Sequence, residues 1–310
     1  MPDAAERWIE PLLKGTSAEH REAAERLGAA GPNVVPRLLA LLEEIGSLRI
    51  WDAIEAVGEA AAPAVLERYR RRGLGLTHGE ARVLARSPLG WPALIEAFEL
   101  DASRPNALRG IGLSGRPDAA PIVRAAFTDT DWGVRVEAAF AAGNLRDEDS
   151  VDGLIALAVD EDSEVRESAV WALARIGTAE ALAHVLGALE DGDVGVRITA
   201  VTGLGDAGLI EAVPRLLELL KSADPGIGTG TEIEAILDVL AKFADRRAES
   251  TLVGMLDRPY SSWRADPKSL PYGDQAVRVL EILGTPTALA AAARWRASRP
   301  TPESDAEQGP

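Results

Sequence analysis

Carboxylates, arginines and three histidines are the side chains in this sequence that could bind a charged ligand or transfer a proton. The 310 residues include no cysteine, which excludes disulfides, thiolate metal sites and cysteine nucleophiles. His20, His78 and His184 are far apart in the sequence, so no cluster has the spacing of a metal site. We therefore predict no catalytic residue, no metal and no cofactor, and the sequence leaves open whether any enzymatic activity exists.

Acidic residues outnumber basic ones and are concentrated in one part of the chain. The sequence has 49 Asp and Glu against 33 Lys and Arg, a net charge of -16, and residues 129–193 alone carry -12 of it. Because nucleic acid binds to positively charged faces, this balance argues against a nucleic-acid partner. Helix capping explains part of the excess. The rest predicts either an acidic patch for a basic protein or a surface that only keeps the protein soluble.

The N-terminal residues have neither a basic segment nor an apolar core of the kind that makes a signal peptide. No stretch approaches the roughly 18 uncharged apolar residues that a membrane-spanning helix needs. We therefore expect a cytoplasmic protein with no membrane contact. The sequence does not indicate an oligomeric state.

These charged residues belong to a repeat. Three segments that begin at Asp131, Asp162 and Asp193 align without a gap, and each continues with Val-Arg and a small-residue stretch. Apolar residues recur at helical spacing, and an Asp stands where a helix N-cap is needed, so one period of 31 residues holds two helices. Weaker copies upstream and downstream bring the number to nine. The sequence thus predicts an all-α repeat array.

The repeats define the expected organisation of the chain. We predict one solenoid domain over residues 1–297, with its best copies at 129–220. Two insertions, 223–231 and 257–272, interrupt it. The second insertion is rich in aromatic and basic residues, and we predict a binding role for Tyr260 and Trp263, the alternative being that they pack on the array. Residues 298–310 are rich in Pro, Glu, Asp and Ser and predict a disordered tail.

Residues 129–220 resemble HEAT repeats of the short bacterial, phycobilisome-lyase-like type, whose pattern is an apolar helix, an Asp, then Val-Arg and Ala-Ala-x-Ala-Leu-Gly. The resemblance implies a right-handed α-solenoid of about nine HEAT-like hairpins. It also implies a structural ladder in which an inter-helix aspartate of each repeat bonds an arginine. The aspartates are Asp129, Asp160 and Asp191, and the arginines are Arg135, Arg166 and Arg197. Identical residues in three successive units cannot share one active site, so we expect a structural role.

In HEAT repeats the concave face is lined by the second helix of each unit, which corresponds here to the Val-Arg helices. Helical spacing turns one set of side chains toward that face. Phe140 and Trp171 become neighbouring aromatics there, unless both pack between helices as ordinary core. The residues predicted to bind a partner in this groove are Glu137, Phe140, Asn144, Glu164, Glu167, Trp171 and Arg175.

The sequence therefore predicts a scaffold or regulatory adaptor that holds a basic or amphipathic protein or peptide in an acidic groove. The alternative is an enzyme built on the same repeats, either a bilin-lyase-like protein or an atypical DNA glycosylase. A glycosylase needs a basic groove for DNA, which the acidic balance does not offer. The di-iron hydroxylase use of this scaffold requires His-Glu pairs, and the sequence has none.

Overall fold

The structure, a computed structural model, describes residues 5–73, 75–100, 103–222, 230–256 and 272–298. These residues form 19 α-helices with short 3-10 turns between them, and no β-strand occurs among them. In chain order the α-helices are α1 (Ile9–Lys14), α2 (Ser17–Ala29), α3 (Val35–Ile45), α4 (Arg49–Ala56), α5 (Ala62–Arg72), α6 (His78–Ala85), α7 (Trp91–Phe98), α8 (Arg104–Leu113), α9 (Ala120–Ala125), α10 (Trp132–Leu145), α11 (Val151–Leu157), α12 (Ser163–Ile176), α13 (Ala179–Gly187), α14 (Val194–Ala207), α15 (Val213–Ser222), α16 (Gly230–Phe243), α17 (Glu249–Leu256), α18 (Tyr272–Leu283) and α19 (Pro286–Ala297).

After α1, the described helices follow one another as nine pairs, from α2 and α3 to α18 and α19. The first helix of every pair carries one of the nine predicted repeat copies, so the Val-Arg helices, which the resemblance placed second in each repeat, are the first helices in this count. Helices α10, α12 and α14 begin at residues 132, 163 and 194, which preserves the period of the sequence. The predicted all-α solenoid is confirmed.

The chain divides into two compact units, Met1–Leu157 and Ala158–Pro310. Helices α1 to α11 lie in the first unit and α12 to α19 in the second. Within each unit, consecutive first helices pack directly against one another. The prediction of a single domain over 1–297 stays a prediction.

Small residues make this close packing possible. A Cβ added to Gly112 of α8 would lie 2.5 Å from the Cα of Ala141 in α10, and one added to Gly205 of α14 would lie 2.5 Å from a methyl of Val239 in α16. The small-residue stretches of the repeat are therefore the contact surfaces between neighbouring first helices, where a larger side chain would force the backbones apart.

The Asp residues of the repeat shape the turn before each first helix. Asp131, Asp162 and Asp193 are N-caps, and each accepts a hydrogen bond of 2.8 Å from the backbone N–H two residues ahead. At the other end, Gly177 and Gly208 adopt left-handed backbone with φ of 74° and 70°, a conformation that glycine takes without steric cost. The same aspartate N-cap at three successive repeats explains their constant length.

The structure changes the predicted boundaries of both insertions. Helix α16 begins at Gly230, so 230–231 are helical, and 223–229 lie outside the described residues. Tyr272 is the first residue of α18 and is 5% exposed, because its ring packs in the core beside Gly230. It is not a loop residue. Residues 257–271, with Tyr260 and Trp263, and residues 299–310 lie outside the described part, so the structure does not test their predicted roles.

Candidate functional site

The predicted ladder takes a specific form in the second unit. The Arg166 guanidinium reaches back to the backbone carbonyl of Asp160 at 3.0 Å and forward to the carboxylate of Asp191, with Nε–Oδ2 and Nη2–Oδ1 distances of 2.9 and 3.0 Å. Each arginine thus holds the main chain of its own turn and the carboxylate of the next repeat. Burial opposes ionisation of Asp191, but the hydrogen bonds from Arg166 and from the Asp193 N–H outweigh it and hold the pKa of Asp191 below its usual value of 3.8.

The next step of the ladder uses a residue that the sequence pattern does not reveal. Arg197 donates to the backbone carbonyl of Asp191 at 2.9 Å and to both carboxylate oxygens of Glu232, at 2.6 and 3.1 Å. The Glu232 side chain is 1% exposed. The sequence departs from the repeat pattern after Asp224, where Glu234 stands in place of the arginine, so it did not predict that the ladder continues there. The only sequence signal was a charged residue next to the apolar Ile233 at the start of a helix.

Similar arginine–carboxylate pairs join the first helices of the first unit. Arg104 of α8 pairs with Asp129, and Arg109 of α8 pairs with Glu137 of α10. Earlier in the unit, Glu80 is completely buried and is bonded by Arg68. These acidic and basic residues therefore neutralise each other in pairs, and sequence spacing alone did not predict the pairs.

The three predicted site residues of α10 have different surroundings. Glu137 was expected to point outward, but its side chain is only 12% exposed because Arg109 of the preceding repeat draws it inward. Burial raises the pKa of Glu137, and the Arg109 guanidinium opposes that rise. Phe140 is half-buried, with the Arg109 guanidinium 5.9 Å from its ring centre. Asn144 is exposed.

The four predicted site residues of α12 lie closer to the expectation. Glu164 and Glu167 are exposed, and so is Arg175. Trp171 is half-buried, and the Arg175 guanidinium lies 5.0 Å from its ring centre, which is within the range of a cation–π contact. This arrangement lies between the two sequence-based alternatives, because the ring is neither fully exposed nor part of the closed core.

Helix α14 extends this surface. The hydroxyl of Thr199 donates to Glu167 at 3.1 Å, so the Glu167 carboxylate lies over the first turns of α14. Thr202, which takes the place of Trp171 one repeat later, is exposed. We call the exposed side chains of Glu164, Glu167, Arg175 and Thr202, together with the half-buried ring of Trp171, the acidic face. The ladder arginines Arg166 and Arg197 pair with Asp191 and Glu232 and not with the glutamates of this face.

Among the described residues, no group of three or more His, Asp and Glu residues could hold a metal ion. His20, which lies in α2, is bonded to Asp52 at 2.9 Å and to the Leu12 carbonyl at 2.8 Å, so it joins neighbouring helices. None of the described helices has the length and apolar character required to cross a membrane.

Comparisons with known proteins agree with this architecture. Three overlapping segments, 92–174, 123–198 and 151–236, match the family model of HEAT repeats. The solved structure of the Escherichia coli protein YibA is 18% identical with a TM-score of 0.51, and the match covers 87% of this chain and 97% of that one. This likeness shows a shared fold. The complex of CpcE and CpcF of phycocyanin lyase from Nostoc is 18% identical with a TM-score of 0.45, over 76% of this chain and 94% of that one. No curated protein matches the chain significantly in sequence.

Proposed function

Because the chain is a HEAT-repeat protein, we propose that it is a scaffold or adaptor that binds a basic or amphipathic protein through the acidic face of its second unit. The observation that carries this proposal is the pair of exposed carboxylates, Glu164 and Glu167, beside the half-buried ring of Trp171. Repeat arrays commonly use such extended helix rows as binding surfaces.

The roles of the individual carboxylates in this region support the acidic face as a binding surface. Asp162 and Asp193 cap helices, and Asp191 is held by Arg166. These carboxylates are explained by the fold. Glu164 and Glu167 stay exposed, and the contact of the Glu167 carboxylate with the next repeat is a hydrogen bond from Thr199 and not an ion pair. Surface carboxylates of this kind attract a basic partner and speed its association, and salt weakens that attraction.

The aromatic ring gives the face an apolar centre. Trp171 is partly covered by Arg175 of its own helix. A guanidinium or ammonium group of the partner can take the place of Arg175 on the ring and stay within reach of Glu167. Aromatic residues at the centre of an interface contribute a large share of binding energy. A partner segment with Lys or Arg beside an apolar residue fits this combination.

Site-specific crosslinking tests the proposal. A photoreactive phenylalanine placed at Thr202, the exposed position of α14 that corresponds to Trp171 one repeat later, should crosslink to a protein in cells that express the chain. The matched control carries the same residue at Glu218, which is exposed on the second helix α15 of the same unit. A product that forms at both positions, or only at Glu218, refutes the acidic face as the binding surface.

A further inference from the structure

A second surface, independent of the acidic face, lies in the first unit. Two adjoining clefts cross the turns that link α6 to α7, α8 to α9 and α10 to α11. We call them together the turn groove. We propose that the turn groove binds an extended peptide segment of a partner protein, with an apolar side chain in the first cleft and Lys or Arg in the second.

The first cleft is small, and slightly more of its wall is apolar than polar. Its volume is about 130 Å³, and Pro88 and Trp91 line it together with Arg86, Ser87 and Ser114. This is well below the roughly 300 to 1,000 Å³ of pockets for whole small molecules, but it is large enough for one side chain. Two exposed leucines stand next in sequence to lining residues, Leu89 after Pro88 at 57% exposure and Leu113 before Ser114 at 44% exposure. Exposed apolar side chains that gather around a cleft indicate an interaction surface.

Arg116 joins the two clefts. It lines both of them, and its guanidinium lies 4.6 Å from the ring centre of Trp91. Its charge is already matched, because Asp118 accepts hydrogen bonds from its Nε at 3.0 Å and its Nη2 at 2.9 Å. The Arg116–Asp118 pair is therefore neutral, so Arg116 separates the two clefts and does not form a binding site for an anion.

The second cleft is larger and carries exposed acidic side chains. It measures about 380 Å³ and is lined by Leu145 and by the turn that follows α10. Arg124 binds Asp147 of this turn at 2.6 Å. Asp149 is 3.7 Å from the same arginine, but its side chain is 85% exposed. Glu148 is exposed as well.

The remaining cation of the turn is Arg146, which is exposed. Glu148 and Asp149 outnumber it, so the cleft favours a positively charged side chain of the partner. A small cleft with exposed leucines next to it, beside an acidic cleft, suits an extended segment, because a helix about 10 Å across is too wide to enter the smaller cleft.

Peptide selection on the full chain tests this proposal. A display library of random peptides about ten residues long is selected on the purified protein, and the enriched peptides are measured by fluorescence anisotropy. We expect enrichment of an apolar residue followed by Lys or Arg. Affinity should fall at least about tenfold in the variant with Leu89→Ser and Leu113→Ser, and also in the variant with Glu148→Lys and Asp149→Lys. These four residues are exposed, so both variants are expected to fold. Circular dichroism checks that they do.

Two controls separate this surface from others. The variant Leu48→Ser removes an equally apolar side chain, 79% exposed and away from the groove, and should leave affinity within about twofold. The variant Glu164→Lys with Glu167→Lys changes only the acidic face and should do the same, so failure of one proposal is distinguishable from failure of the other. The turn groove is refuted by a selection without enrichment, by enriched acidic peptides, or by peptides that bind both groove variants as tightly as the original protein.

Discussion

The substitution Glu232→Gln tests whether the arginine ladder continues across the junction between α14 and α16. It keeps the shape of the side chain but removes its charge and turns one acceptor into a donor facing Arg197. The Glu232 side chain is 1% exposed and that of Arg197 is 17% exposed, so water cannot replace the lost acceptor. Breaking a buried pair on one side costs about 3 kcal/mol, and the partial exposure of Arg197 lowers this to about 2 kcal/mol.

Hydrogen exchange read by mass spectrometry is the assay, because it reports the opening free energy of α14 and α16 separately from other helices. The matched control is Asp206→Asn, which removes the ion pair with Lys242 between the same two helices. The side chains of Asp206 and Lys242 are 85% and 54% exposed, so removing this ion pair should barely change the opening free energy. If the amides of α14 and α16 are as well protected from exchange in Glu232→Gln as in the control variant, the ladder does not stabilise this junction. The double variant Arg197→Met with Glu232→Met should recover part of the loss.

Three further predictions concern packing, backbone and pH. Gly112→Ala should lower the free energy of unfolding by about 1 to 3 kcal/mol because its Cβ meets the α10 backbone at 2.5 Å, whereas Gly187→Ala, with no atom within 4 Å, should be neutral or stabilising; urea unfolding compares them. Ala244→Gly should raise the melting temperature, because Ala244 has φ of 50° and relief of that conformation is worth about 1 kcal/mol. The lowered pKa of Asp191 stabilises the fold above about pH 3.8, and this stabilisation is lost as pH falls through the folded-state pKa. Acid titration should therefore destabilise the original protein more than Asp191→Asn, and equal acid sensitivity contradicts the role of Arg166.

The sequence was most informative where structure is local. The caps at Asp131, Asp162 and Asp193 and the spacing of apolar residues depend on neighbours within one turn, so the number, order and length of the best repeats could be predicted. Residue 230 was placed in an insertion, because a Gly-rich stretch predicts a turn even where the following helix begins within it.

The candidate site was less predictable because it depends on contacts between repeats. Helical spacing predicts which face of a helix a residue occupies, but it does not predict which side chains of the neighbouring helix that residue contacts. Glu137 lies on the expected face of α10, yet Arg109 draws it into an ion pair. Glu167 is one position before the equivalent of Glu137 in α12 and stays exposed, and it accepts a hydrogen bond from Thr199 of the following helix α14. The period of 31 aligns Arg109 with Phe140 and not with Glu137, so the repeat alignment gives no signal for the Arg109–Glu137 pair.

The central claim is that the acidic face binds a basic partner, and charge reversal tests it most directly. The affinity of the partner captured at Thr202 is measured for the original protein, for Glu164→Lys with Glu167→Lys, and for Glu180→Lys with Glu218→Lys, which changes the same charge on second helices of the same unit. We predict a loss of at least about tenfold for the first variant and about twofold or less for the second, with a smaller difference between them in high salt. Equal losses in both variants, or no loss in the first, would contradict the account.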